Sequence, residues 1–149
     1  MRHRAVEGHG RGDESAENQR NLGLIHADLR PSNVIRGNDG RLTVIDFDDA
    51  GYSWYLYDYA SSLSFIEHEP YAPDLAKAWV KGYQRVAGSF TDEELRIMSA
   101  LSMIRRMQML GWTTSHREDA LPDGLAAQQA PGSVMCAKNY LEDPLWLLH

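Results

Sequence analysis

Two short runs in this sequence hold oxygen-bearing side chains at spacings that suit chemistry. His26-Ala27-Asp28 is followed, five residues after the aspartate, by Asn33, and a second run, Ile45-Asp46-Phe47-Asp48-Asp49, comes after a glycine-bounded turn. An aspartate facing a hydroxyl, with an amide and a second carboxylate beside a cation, suits Mg-dependent phosphoryl transfer, where catalysis is mostly positioning and charge neutralisation. Mg2+ asks for hard oxygen ligands, keeps several waters and takes few protein ligands. Asn33 and Asp46 meet that need. Asp28 is then the candidate base, orienting an acceptor hydroxyl and taking its proton as the new bond forms.

The chain between the two runs explains how they converge. Val34-Ile35 and Leu42-Thr43-Val44-Ile45 are apolar and rich in β-branched residues, and Gly37-Asn38-Asp39-Gly40 separates them. Asn, Asp and Gly tolerate positive φ, so this pattern predicts a β-hairpin that returns Asp46 to the end where Asn33 sits. Pro31 stiffens the loop between Asp28 and Asn33 and withholds a backbone donor.

At these residues the chain resembles a known group. HADLRPSN is similar to the catalytic loop of the aminoglycoside phosphotransferase and choline/homoserine kinase family, a branch of the protein-kinase-like fold. IDFDDAG resembles that family's metal-binding segment, and Tyr57-Asp58-Tyr59-Ala60 its YDLA-type helix start. The resemblance implies Asp28 as the catalytic base, with Asn33 and Asp46 as Mg2+ ligands and ATP as phosphoryl donor. It implies that His26 braces the catalytic loop and that Asp58 holds the loop backbone from behind. There are departures. Ala27 stands where the family more often has Gly and protein kinases have Arg. Asp48 replaces the glycine of the DFG segment, and is either a further carboxylate near the metal or a solvated turn residue; the second is favoured.

Only residues 1–25 precede the loop, and the tail MRHRAVEGHGRGDESAENQRN offers neither a strand lysine nor a glycine-rich strand-turn-strand. Gly8, Gly10 and Gly12 lie in a polar stretch that reads as a linker rather than a phosphate loop. The expected fold is therefore mainly α with a small β-hairpin: a kinase-like C-terminal lobe over 15–149 without its nucleotide lobe, preceded by a disordered polar tail over 1–14.

Composition sets the remaining bounds. The 149 residues suffice for one domain with a core, and 43% apolar with 24% charged residues is ordinary for a globular chain. A formal net charge of −6 argues against a nucleic-acid or anionic-membrane binder, which needs basic surface. Cys136, the single cysteine, excludes an internal disulfide and suits a reducing cytosol. No apolar run reaches membrane-spanning length. A cytoplasmic location is expected.

Periodicity predicts helices over 55–67, 74–86, 91–112 and 133–142. Asp58 falls in the first turn of the first, where a carboxylate suits the helix dipole and can reach loop amides. Pro70 and Pro73 precede the second helix and Gly88 stops it. Thr91-Asp92-Glu93-Glu94 opens the third as a capping box, and its apolar positions run through Met98, Leu101, Ile104 or Met107, and Leu110. Arg105 and Arg106 are read as a solvated or salt-bridged helix face in preference to a phosphate contact. Residues 113–132, with Pro122, Gly124, Pro131 and Gly132, read as loop. The apolar ending PLWLLH either docks on the body or marks a partner surface. Glu67, Glu69 and Asp123 are candidates for pairing with a substrate amine, with surface carboxylates as the default.

Two classes of function remain. The first is an ATP- and Mg-dependent kinase acting on a hydroxyl of a small molecule, present as its catalytic lobe and weakly active or inactive alone. The second is a non-catalytic, pseudokinase-like module that binds a partner or forms a homodimer through the surface a nucleotide lobe would cover. The loop chemistry does not separate aminoglycosides, choline, homoserine and other sugars or amino alcohols.

Overall fold

The computed structural model describes residues 21–116 and 121–149. The tail over 1–14 and its glycines lie outside those residues. The chain runs β1 (Leu22–Ile25), a 3₁₀ turn (Pro31–Asn33), β2 (Val34–Arg36), β3 (Leu42–Val44), β4 (Gly51–Trp54), α1 (Tyr57–Ser62), α2 (Ala72–Ala87), α3 (Asp92–Ser115) and α4 (Asp123–Glu142).

The expected hairpin is β2–β3, with Val34 opposite Val44 and Arg36 opposite Leu42. Its turn closes through Gly37 N–H to Arg41 O at 2.8 Å, and Gly40 supplies the positive φ of 81°. A second antiparallel ribbon joins β1 to β4, with Leu22 opposite Trp54 and Ile25 opposite Gly51. The sequence reading had one hairpin; the structure has two nested ribbons. Each strand of the outer ribbon is only four residues long, and only its remote partner reveals it. The nesting brings both junctions, 26–33 and 45–50, to the same end. The two chemical runs therefore lie side by side between the ribbons.

The helices supply the base on which the loop rests. Tyr59, Leu63, Ala72, Ala76, Met98 and Leu147 form the buried core, with Leu56, Trp79, Phe90 and Leu95 packed against it. α2 starts at Ala72 with Pro73, whose fixed φ suits a first turn, as its second residue, and stops at Gly88 with φ 91°. The Thr91 hydroxyl accepts from the Glu94 amide while the Glu94 carboxylate accepts from the Thr91 amide, which is the expected capping box. Leu147 is buried, so the apolar ending docks on the body, where the Lys77 ammonium also donates to the carbonyl of His149.

Three expectations about the helices differ. The helix expected over 55–67 is a regular helix only over Tyr57–Ser62 and continues as turns. Ile104 and Met107 are exposed, because α3 turns Met98, Leu101, Ser102, Arg105 and Arg106 inward instead. The loop expected up to Gly132 is helix from Asp123 on, with Pro131 inside it.

Contacts around Gln129 hold the helix on either side of Pro131. The Gln129 carbonyl accepts from the Arg106 guanidinium at 2.9 Å and from the Ser133 hydroxyl at 2.7 Å, and Gln129 Nε2 donates to Leu125 O at 3.0 Å. Gly132 lets His68 and Arg106 lie against the helix backbone: a Cβ there would stand 2.6 Å from His68 Cγ. Arg106 is the largest fully buried side chain and meets Glu67 at 2.6 Å. Glu67 is thus no surface carboxylate, and of the two forms expected for the arginines, solvated or salt-bridged, the second holds, with both side chains buried.

Candidate active site

The loop 26–33 is fixed from behind by α1. Asp58 accepts from the His26 amide at 3.1 Å and from the Ala27 amide at 2.8 Å, one bond to each oxygen. Ser61, one turn on, accepts the Leu29 amide at 3.1 Å. Ala27 has φ 64°, a left-handed conformation that costs a non-glycine residue about 1–2 kcal/mol. The two amides held by one carboxylate offset that cost. His26 braces the loop against the second run: its Nε2 lies 2.9 Å from the Ile45 carbonyl, while the Asp28 amide donates to Nδ1 at 3.3 Å. A carbonyl only accepts and an amide only donates, so the imidazole carries its proton on Nε2. Its ring also packs on Phe47 at 4.7 Å.

Asn33 is buried, and its Nδ2 donates to the Asp28 carbonyl at 2.9 Å and to Asp28 Oδ2 at 3.0 Å. With the amide nitrogen turned to Asp28, the carbonyl oxygen is its remaining acceptor. The Asn33 backbone carbonyl receives the Ile45 amide at 3.0 Å, which ties the loop to the residue before Asp46. Asp46 itself sits at φ 66°. It lines a cleft of about 350 Å³ together with Asp28, Arg30, Asp49, Phe65, Arg105, Met109 and Trp112. Asp48 is exposed and is not part of that lining; Asp49 is.

The electrostatics centre on Asp28. Its Oδ1 meets Arg105 at 2.6 Å and its Oδ2 meets Arg30 Nε at 3.0 Å, so the carboxylate lies between two guanidiniums. Arg30 also lies over the Phe65 ring, 5.8 Å from its centroid. Phe65 has φ 73° and packs 6.4 Å from Trp112, giving the cleft an aromatic wall. Sequence reasoning missed Arg30, Arg105, Ser61 and this wall. Only Ser61 carried a readable signal, since it follows Asp58 by three residues on one helix face.

The donor set suits Mg2+. None of the ion pairs among the described residues involves Asp46, which leaves its carboxylate available. No three of His, Cys, Asp and Glu converge among the described residues. A cation that takes one or two carboxylates and shares substrate phosphates needs no such trio. Likewise, no helix among the described residues is long and apolar enough to cross a membrane.

Over 57 residues the chain is 39% identical to amicoumacin kinase of Bacillus subtilis (strain 168), covering 38% of this chain and 17% of that protein. Its fold matches the structure of the microcompartment-associated aminopropanol kinase with a TM-score of 0.69 and 30% identity, covering 92% of this chain and 43% of that one. The chain thus spans less than half the length of either, and its mainly helical body with small antiparallel sheets is that part of a kinase-like fold. Residues 8–97, more than half of the chain, match the phosphotransferase enzyme family (APH), and on that match the chain belongs to this family.

Proposed function

We propose that the chain carries the catalytic segment of an ATP- and Mg2+-dependent kinase that phosphorylates a hydroxyl of a small molecule. One observation carries the reading: Asp28, held at three points, and Asp46, without an ion-pair partner among the described residues, line the same cleft. Asp28 orients the acceptor hydroxyl and takes its proton. Asn33 and Asp46 hold the cation, which when bound neutralises charge on the donor phosphates. Phe65, Met109 and Trp112 exclude water from the acceptor side. The name of the aminopropanol kinase makes an amino alcohol the first acceptor to try, and a cytoplasmic location belongs to the same reading.

Among the described residues there is no glycine-rich strand-turn-strand and no lysine on a strand to grip the triphosphate, so we expect little turnover from this length of chain alone. The test is phosphoryl transfer from ATP to a panel of amino alcohols and sugars, using the longest chain the gene encodes, with Asp28→Ala beside it. Transfer that Asp28→Ala abolishes supports the reading. Transfer that survives the substitution removes Asp28 as the base, and no transfer to any acceptor refutes the kinase assignment.

A second reading is a binding module that self-associates. It rests on the outer ribbon, where Leu24 is 66% and Tyr52 88% exposed. Light scattering decides it: a strict monomer at high concentration ends that reading.

A further inference from the structure

We propose that Arg105 is the positioning residue of Asp28, fixing its carboxylate so that Oδ1 is the oxygen that receives the acceptor's proton. The proposal rests on the kinase reading above and adds a residue that neither chemical run contains.

Asp28 has about four acceptor sites on its two carboxylate oxygens. Oδ2 is taken twice, by Arg30 Nε and Asn33 Nδ2, each at 3.0 Å. Oδ1 is taken once, by Arg105 Nη2 at 2.6 Å. The site left open is on Oδ1, and the direction in which it points is set by where Arg105 holds that oxygen.

Arg105 is itself held. Its Nε donates to Ser64 Oγ at 3.0 Å and its Nη1 to the Tyr57 hydroxyl at 3.2 Å, and its guanidinium lies over the Tyr57 ring at 5.8 Å. Tyr57 in turn donates to Gln108 of α3 at 3.0 Å. A buried guanidinium held by Ser64 and Tyr57 has little rotamer freedom left to lose when it aligns a carboxylate. Arg105 also shares a helix face with Met109 and Trp112, four and seven residues on, and all three line the cleft. One rigid helix therefore sets the distance between the acceptor wall and the base.

This task is separate from holding the loop together. Asp58 and Ser61 bind the backbone amides of His26, Ala27 and Leu29, whereas Arg105 touches only the side chain of Asp28. Removing Arg105 should leave the loop path intact and set the Asp28 carboxylate free.

The test compares wild type with Arg105→Met, Arg105→Lys and Tyr57→Phe in the longest chain the gene encodes. Two readouts are followed: steady-state transfer from ATP, and the ¹³Cγ resonance of Asp28 with the surrounding amide spectrum. For Arg105→Met we expect kcat to fall roughly a hundredfold, the scale of a small misplacement of a catalytic group, with the KM for ATP nearly unchanged. Arg105→Lys should recover part of the loss. Tyr57→Phe, which loosens Arg105 without touching Asp28, should lower kcat by a smaller factor. The Asp28 carbon should shift or broaden in Arg105→Met while the His26, Ala27 and Leu29 amides stay in place.

An unchanged kcat, or an unchanged Asp28 carbon, in Arg105→Met overturns the proposal. If Arg105→Met does not fold, Tyr57→Phe and Arg105→Lys decide: wild-type kcat in both overturns it. Absence of transfer in wild type refutes the kinase reading alone, and the carbon resonance then still decides whether Arg105 holds Asp28.

Discussion

Replacing Asp58 by alanine should loosen the loop over 26–33 before anything else in the described structure. The carboxylate accepts two amides, His26 N at 3.1 Å and Ala27 N at 2.8 Å, and no other described group takes them. Hydrogen bonds to a charged partner stabilise by about 1.5–3 kcal/mol each. Asp58 is half-buried, so water can replace part of what is lost. Ala27 would keep its left-handed strain with less to hold it there. A net loss of about 3 kcal/mol follows, taking the lower bound for both bonds. In a chain of this length that is roughly 6–12 °C in Tm. Urea unfolding measures the total, and hydrogen exchange locates it. Protection of the α3 core should fall by the global loss alone, roughly 150-fold for about 3 kcal/mol, while the His26 and Ala27 amides lose their acceptor and should exchange nearly as in an unfolded segment. Asp58→Asn keeps the shape but turns one acceptor into a donor facing an amide, so it should lose at least as much. A loss under about 0.5 kcal/mol, within the range of an ordinary surface substitution, with the two amides equally protected would refute this account of the loop.

Gly132→Ala should destabilise by about 1–3 kcal/mol, because the new methyl meets His68 Cγ at 2.6 Å and Arg106 Nη2 at 2.8 Å, and Arg106 has nowhere to retreat. Urea unfolding at neutral pH reads it directly. Arg106→Met strands Glu67 as a buried unpaired carboxylate and should cost about 3–5 kcal/mol, most of it recovered in the Arg106→Met, Glu67→Met double variant. Burial pushes the Glu67 carboxyl up from its ordinary 4.5 against the opposing pull of Arg106, so the folded state keeps that proton to higher pH than the unfolded chain. The group's contribution is full below pH 4.5 and is lost as pH rises through the folded value. Wild type should therefore lose stability relative to Glu67→Gln from about pH 4 toward 7, and a flat difference across that range would contradict it. Burial also pushes the Cys136 thiol up to about 11, so native protein at pH 8 should resist alkylation that the unfolded chain undergoes readily.

What could be read from the residues alone, and what could not, divides along sequence distance. The β2–β3 hairpin was legible because β-branched runs flank a turn whose residues tolerate positive φ. The start of α3 was legible because Thr91 and Glu94 satisfy each other within one turn. Both signals are local. The β1–β4 ribbon was not, since LGLI and GYSW are short and about half-exposed, and each becomes a strand only by pairing across residues 26–50. Helix α4 was hidden by Pro131 and Gly132, which break isolated helices. Here Arg106 and Ser133 take the carbonyl of Gln129, and the missing Cβ of Gly132 admits His68. The paired arginines of α3 were the hardest of all, because the default place for arginine is the surface. Asp28 and Glu67, 77 and 39 residues away, decide otherwise.

The same division explains how the candidate site is built. Residues that would do chemistry lie close together in the chain, in the two junctions between the nested ribbons, where a motif can mark them. Residues that hold them lie far away, on α1 and α3. A carboxylate on α1 fixes the loop's backbone, and a guanidinium on α3 fixes the side chain of Asp28. Because the two holds act on different atoms, they can be lost separately. Disturbing Asp58 should move the loop path, and disturbing Arg105 should move only the carboxylate. If both substitutions produced the same spectral change across residues 26–33, backbone and side chain would be one mechanical unit, and the separation argued from these distances would be wrong.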